Sequence, residues 1–95
     1  MILHLVAGTD PSAPTTPYTH PSLEAEGFIH CCFQHQALKV IDRFFPKEGK
    51  IWGFEIEPSA MTSELRLEPS SNGECYPHIY GPINPAAFGK RIRIR

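Results

Sequence analysis

Proline interrupts this chain so often that only one segment has room for an ordinary helix. The 95 residues include ten prolines, most of them in stretches that read as loops. Eight of them stand at Pro11, Pro14, Pro17, Pro21, Pro69, Pro77, Pro82 and Pro85. Because proline lacks a backbone donor and breaks helix interiors, this pattern predicts rigid connections and short strands.

The exception is a segment that runs from about residue 34 to residue 45. Its apolar side chains recur at three- and four-residue spacing, which predicts an amphipathic helix packed on a sheet. These side chains are Ala37, Leu38, Ile41, Phe44 and Phe45. Pro46 is expected to end the helix.

Apolar or alternating runs predict five or six short strands around this helix. They cover residues 1–7, 28–32, 50–57, 64–68, 76–81 and 88–95. The first is apolar on both faces, which is typical of an internal strand, and the last alternates isoleucine with arginine, which favours a charged edge. We therefore expect one α+β domain, residues 1–95, with a small, bent, mostly antiparallel sheet or half-open barrel and one main helix packed on it.

Residues 8–25 are expected to form a long ordered loop. A loop of this length in a compact domain usually has a function, often as a lid or a binding wall. Tyr18, His20 and Ser22 are its polar candidates, and Ser22 is also placed to cap one helical turn.

Charge and hydropathy narrow the classes of partner. Nine basic residues nearly balance ten acidic ones, giving a formal net charge of -1, which is not the footprint of a nucleic-acid-binding protein. No apolar run approaches the roughly 20 residues that span a bilayer, and the first residues lack a signal-peptide pattern. We expect a cytoplasmic monomer or weak dimer without a membrane or nucleic-acid partner.

Three histidines that are far apart in the sequence lie in segments predicted to converge. They are His4 in the first strand, His30 in the second and His78 near the end of the fifth. An imidazole can give or take a proton near neutral pH, so all three are candidate catalytic residues. For His4 the alternative is a core histidine that bonds a backbone carbonyl.

Five more residues are candidate ligand contacts: Tyr18, Ser22, Arg66, Glu68 and Tyr80. Hairpin pairing of residues 64–68 with residues 76–81 can bring the last three beside His78. Arginine offers a planar fork for phosphate, and a carboxylate can hold ribose hydroxyls or stabilise positive charge. This set indicates a phosphorylated or nucleotide-type ligand.

Three other interpretations stay open. The histidines and tyrosines can form a structural hydrogen-bond network in a non-catalytic binding or interaction module. A zinc site is a further alternative, with ligands drawn from His30, Cys31, Cys32, His35, Cys75 and His78. A nucleophilic thiol at Cys31 or Cys32 is another, although an odd number of cysteines in a cytosolic protein usually means reduced, inert thiols.

Residues 22–31 (SLEAEGFIHC) and 77–82 (PHIYGP) closely resemble the signature segments of a small, mostly bacterial family, domain of unknown function 952. Residues 2–5, 44–45 and 64–69 fit the same pattern. The resemblance implies an ADP-ribosyltransferase-like fold, in which a split sheet grips NAD. It implies that NAD is a candidate substrate, with no cofactor required. It also implies that His4 holds the nicotinamide ribose and that His78 lies near the position of the usual catalytic glutamate.

Overall fold

The computed structural model describes residues 1–47 and 49–95, and their strands form two antiparallel sheets. In chain order the strands are β1 (Ile2–Ala7), β2 (Ile29–His30), β3 (Cys32–Phe33), β4 (Ile51–Ile56), β5 (Glu64–Pro69), β6 (Cys75–Tyr80) and β7 (Phe88–Arg93). The helices are α1 (Pro21–Glu26) and α2 (Ala37–Phe44). The predicted α+β class with one main helix is confirmed. Within the described residues, no helix is long and apolar enough to cross a membrane.

The larger sheet has the strand order β3-β1-β4-β7, and the smaller sheet has the order β2-β6-β5. β1 is internal and β7 lies at an edge, as the sequence predicted. One apolar core lies between the two sheets and includes Ile2, Phe54 and Ile79. A second core, with Leu3 and Ile41, lies between the larger sheet and α2. The larger sheet is therefore covered on both faces, which explains why β1 is apolar on both sides.

The prediction of one continuous strand over residues 28–32 is wrong. The segment forms two short strands in different sheets, and the chain crosses between the sheets at Cys31. The backbone N–H of Cys31 donates to the carbonyl of Pro77 at 3.1 Å, which fixes the crossing. The crossing brings His30 to the smaller sheet, while Cys32 packs beneath α2.

The predicted helix is shorter at its start and narrower in its buried face than expected. Residues Gln34–Gln36 form a 3-10 turn, and the Gln36 side chain accepts from the Phe33 backbone N–H at 2.9 Å. Ala37 and Ile41 are buried, whereas Leu38 and Phe44 are each 65% exposed. Leu38 points off the buried stripe, and Phe44 lines an open cleft instead of the core.

Two glycines form the turns that orient the site. Gly27 has φ +90 and ends α1, with its N–H donating to the Leu23 carbonyl at 2.9 Å. Gly73 has φ +85 in the turn between β5 and β6, in agreement with the positive φ expected of its Asn-Gly pair. The helical turn predicted near Ser22 exists, but its cap is His20.

Candidate functional site

The hairpin pairing of β5 with β6 that the sequence predicted is present. Glu64 pairs with Tyr80, Arg66 with His78 and Glu68 with Tyr76. His78 in turn pairs with His30 across β6 and β2, so both imidazoles lie on the smaller sheet. Their ring centroids are 5.4 Å apart at an interplanar angle of 75°.

A cleft of about 540 Å³ opens beside these two rings. Its walls come from α1, α2, the middle of β1, the strands β2, β3 and β6, and the β5–β6 turn. Four of the five histidines line it: His4, His20, His30 and His78. The volume lies within the range of about 300–1,000 Å³ that is usual for small-molecule sites. The structure therefore brings the three predicted catalytic histidines together around one cleft.

His4 lies at the base of the cleft, and both of its ring nitrogens are engaged. Nδ1 lies 2.9 Å from the carbonyl oxygen of His30, and Nε2 lies 2.8 Å from the Tyr18 hydroxyl. Burial lowers the pKa of His4 to about 4, so the ring is neutral at pH 7. Nδ1–H therefore donates to the carbonyl, and Nε2 accepts from Tyr18. The core-histidine alternative describes these contacts well.

His78 is held by a carboxylate and by an aromatic ring. Its Nδ1–H donates to Glu68 Oε1 at 2.9 Å, and the Tyr80 hydroxyl donates to the same oxygen. These two bonds, with that from Tyr80 the larger influence, lower the pKa of Glu68 and keep it ionised. The Phe28 ring stacks on His78 with centroids 4.0 Å apart. The imidazole is therefore fixed in orientation and tautomer.

His30 is paired with a carboxylate from α1. Its Nε2 lies 2.8 Å from Glu26 Oε2, and both side chains are 51% exposed. Glu26 is four residues before His30, a spacing that the turn at Gly27 converts into contact. Each imidazole of the pair thus has one carboxylate partner and one remaining nitrogen.

His20 and Ser22 form the α1 side of the cleft. His20 Nδ1 accepts from the Ser22 backbone N–H at 3.1 Å and lies 2.9 Å from the Ser22 hydroxyl. Burial, followed by the nearby charge of His30, lowers the pKa of His20. The buried hydroxyl of Ser22 therefore serves the helix start, although it also lines the cleft.

The structure does not place every predicted contact on the cleft wall. Arg66 donates to Glu64 at 2.9 Å, and its guanidinium lies 4.3 Å from the centroid of the Tyr80 ring. Arg66, Glu68, Tyr80 and Tyr18 do not line the cleft, although Glu68 and Tyr18 each bond a histidine that does. Their role is to hold the lining histidines or to form the adjoining surface.

Sequence reasoning did not identify the part of the cleft wall that α2 forms. Lys39, Arg43 and Phe44 of α2 line it, together with Asn72 and Tyr76. Lys39 donates to Glu74 at 2.6 Å, whereas Arg43 makes a long contact of 3.4 Å to the Ser71 hydroxyl and places its guanidinium 5.3 Å from the centroid of the Phe44 ring. The i,i+4 spacing of Lys39 and Arg43 was the available signal, since it places both cations on one helix face.

The cysteines form neither the reactive-thiol site nor the metal site that the sequence left open as alternatives. Cys31 and Cys32 are buried in different cores, and Cys75 is exposed. Burial raises the pKa of both buried thiols, that of Cys32 to about 11, so neither is a thiolate near pH 7. Across the described part of the chain, no three or more His, Cys, Asp or Glu side chains are grouped to hold a metal.

These features define a small two-sheet α+β protein with a histidine-lined cleft. Residues 9–90 match the model of the family described as protein of unknown function (DUF952), and the chain belongs to that family. No curated protein matches the sequence.

A solved structure of protein CC0527 from Caulobacter crescentus has a similar fold. It is 23% identical with a TM-score of 0.66, and the match covers 78% of this chain and 65% of that one. A double methionine variant of the same protein, 24% identical, has the same TM-score and coverage. At this level of identity the likeness shows the fold alone.

Proposed function

We propose that the cleft binds a phosphorylated, nucleotide-type ligand, with NAD as the first candidate. The observation that carries this proposal is the distribution of groups along one cleft of about 540 Å³. Imidazoles line it together with a cationic, aromatic face of α2. Ligand sites typically combine a largely apolar wall with a few polar groups that fix orientation.

The part of the cleft wall that α2 forms suits the phosphate groups of a nucleotide. Arg43 presents a guanidinium whose planar fork matches phosphate oxygens, and Lys39 adds a second positive charge. Phe44 is 65% exposed, and its ring offers a flat apolar surface for a base or sugar beside the Arg43 guanidinium. In this arrangement Arg43 takes the phosphate-clamp role that the sequence suggested for Arg66.

The histidine end suits ribose hydroxyls and proton transfer. If the protein is an enzyme, transfer or hydrolysis at a ribosyl centre is the reaction implied by an ADP-ribosyltransferase-like fold, with His30 and His78 as proton carriers. Glu68, whose Oε1 accepts from His78 and Tyr80, then acts through His78 and not as a direct ribose anchor.

Isothermal titration of NAD, ADP-ribose and 2′-phosphorylated analogues tests the proposal. The titrations are run at two temperatures, because burial of apolar surface changes the binding enthalpy with temperature and no ligand then escapes detection at a zero-enthalpy point. We expect saturable heat from at least one of them. The absence of heat from all of them, at high protein concentration and both temperatures, would overturn the proposal.

The second candidate is a non-catalytic binding or interaction module whose histidines are structural. The fully bonded ring of His4 favours it, because a histidine with both nitrogens satisfied has no free group for a ligand. In that case substitution of His30 or His78 by alanine mainly lowers the melting temperature.

A further inference from the structure

The pairing of His30 and His78 has the form of a general acid and a general base. The two residues are direct partners in the β2–β6 ladder, and both rings line the cleft. Their centroid separation of 5.4 Å in a T-shaped arrangement means that the two rings touch, so a group bound against both edges is close to both imidazoles. Proton transfer requires such reach, about 3 Å from each nitrogen to the group that it serves.

The carboxylates engage different nitrogens on the two rings. Glu68 takes Nδ1 of His78 and leaves Nε2, whereas Glu26 takes Nε2 of His30 and leaves Nδ1. Within the described residues, neither remaining nitrogen has a hydrogen-bond partner. A carboxylate partner fixes the tautomer and makes the other nitrogen available, as the orienting acid does in hydrolase triads.

The nucleophile that fits this site is water. Cys31 and Cys32 are buried thiols with raised pKa values, and the Ser22 hydroxyl is bonded within its helix start. Arg43 and Lys39 in the same cleft favour an anionic substrate. Hydrolysis of a phosphodiester is one reaction that needs a proton removed from water and a proton delivered to the leaving oxygen of an anionic substrate.

We propose that the His30–His78 pair hydrolyses a nucleotide phosphodiester, with a nucleoside 2′,3′-cyclic phosphate as the simplest substrate class. This rests on the proposed binding of a nucleotide in the same cleft, and it places the reacting phosphodiester beside the imidazoles, with phosphorus and not a ribosyl carbon as the reacting centre. His78 Nε2 removes a proton from water as its oxygen bonds to phosphorus. The bond from phosphorus to one ribose oxygen breaks, and protonated His30 gives its Nδ1 proton to that oxygen. The product is a phosphomonoester, and solvent returns both imidazoles to their starting protonation.

Turnover of 2′,3′-cyclic AMP, followed by ³¹P NMR in the presence of EDTA, tests this reaction. We expect conversion to a monoester. His30→Asn and His78→Asn should each slow turnover by about 100-fold or more. His35→Asn is the matched control, because this fifth histidine stacks on Phe33 outside the cleft.

Glu68→Gln separates positioning from structure. We expect a fall in kcat, little change in KM and an altered dependence of kcat on pH, since the amide no longer orients the His78 ring as an anion does. Equal turnover by the wild type and both histidine variants would overturn the proposal, because the activity would then come from elsewhere.

Calorimetry with 3′-AMP distinguishes the two levels of the proposal. Binding of 3′-AMP without turnover of the cyclic nucleotide would overturn the hydrolysis and leave the proposed function in place. Absence of turnover together with absence of binding by 3′-AMP, NAD and ADP-ribose would overturn both.

Discussion

His30 and His78 face each other across the β2–β6 ladder, with ring centroids 5.4 Å apart. They are 48 positions apart in the chain, and their contact depends on the crossing of the backbone between sheets at Cys31. Both rings line the cleft, as does the buried ring of His4, whose two nitrogens are bonded. Among the described residues, His30 and His78 each keep one ring nitrogen without a hydrogen-bond partner.

His30 and His78 should matter more for ligand binding than for the stability of the fold. We expect His30→Ala to weaken ADP-ribose binding by about tenfold or more, because a lost hydrogen bond to a charged ligand costs about 1.5–3 kcal/mol. The free energy of unfolding should change by less than about 1 kcal/mol, since the His30 side chain is 51% exposed. Calorimetry and urea denaturation measure the two effects, with His35→Ala as the control. A large loss of stability with unchanged binding would favour the structural-module alternative.

Arg43, one of the two cations that line the cleft, should dominate phosphate recognition. Arg43→Ala is expected to weaken a phosphorylated ligand by about 10- to 100-fold, because it removes a charge-assisted hydrogen bond. Arg66→Ala is the matched arginine control, since Arg66 pairs with Glu64 away from the cleft. Titration at two salt concentrations checks the electrostatic origin of the loss. A larger effect of Arg66→Ala would show that the phosphates lie on the β5–β6 surface instead.

The buried imidazole of His4 should make the free energy of unfolding depend on pH. The folded-state pKa of His4 is about 4, against 6.5 for a free imidazole. Between these values the unfolded chain binds the proton and the folded one does not, so stability rises with pH through that window. We expect a loss on the order of 2 kcal/mol from His4 between pH 7 and pH 5. The lowered pKa of His20 acts in the same direction.

Urea denaturation at the two pH values measures this loss, and His4→Asn isolates the His4 part. The variant should be less stable at pH 7, because a buried hydrogen-bond pair is broken, but should lose less on acidification. An unchanged fall in stability in the variant would assign the pH dependence to other groups.

The three thiols should differ sharply in reactivity. A disulfide reagent at pH 8 should modify Cys75 rapidly, because it is exposed. Cys31 and Cys32 should react only as the fold opens, since burial raises the pKa of both. The expected titration is one thiol in the native protein and three in denaturant. Fast modification of two or more native thiols would contradict the buried positions of Cys31 and Cys32.

The pairing of β5 with β6 and the edge position of β7 could be read from the sequence, because alternation of side chains shows which residues share a face. Alternation within Glu64–Pro69 and Cys75–Tyr80 opposed the sets that contain Arg66 and His78, and the structure supplies the exact register. The crossing at Cys31 was not predictable in the same way, because an apolar run of five residues looks the same whether one sheet or two receive it.

The α2 end of the cleft was also beyond sequence reasoning. Phe44 fits the apolar stripe of the helix, and only its position past the covered part of the sheet leaves it exposed. Likewise, the sequence does not distinguish Arg43 from Arg66. Only the tertiary arrangement places Arg43 beside the cleft and pairs Arg66 with Glu64.

The most direct test of the cleft is a two-dimensional NMR titration of the imidazole signals with ADP-ribose. We expect the ring resonances of His20, His30 and His78 to shift with one common dissociation constant, because all three line the cleft. Those of His35, which lies outside it, should not move. Saturating ligand that leaves the three cleft histidines unmoved would contradict the proposed site.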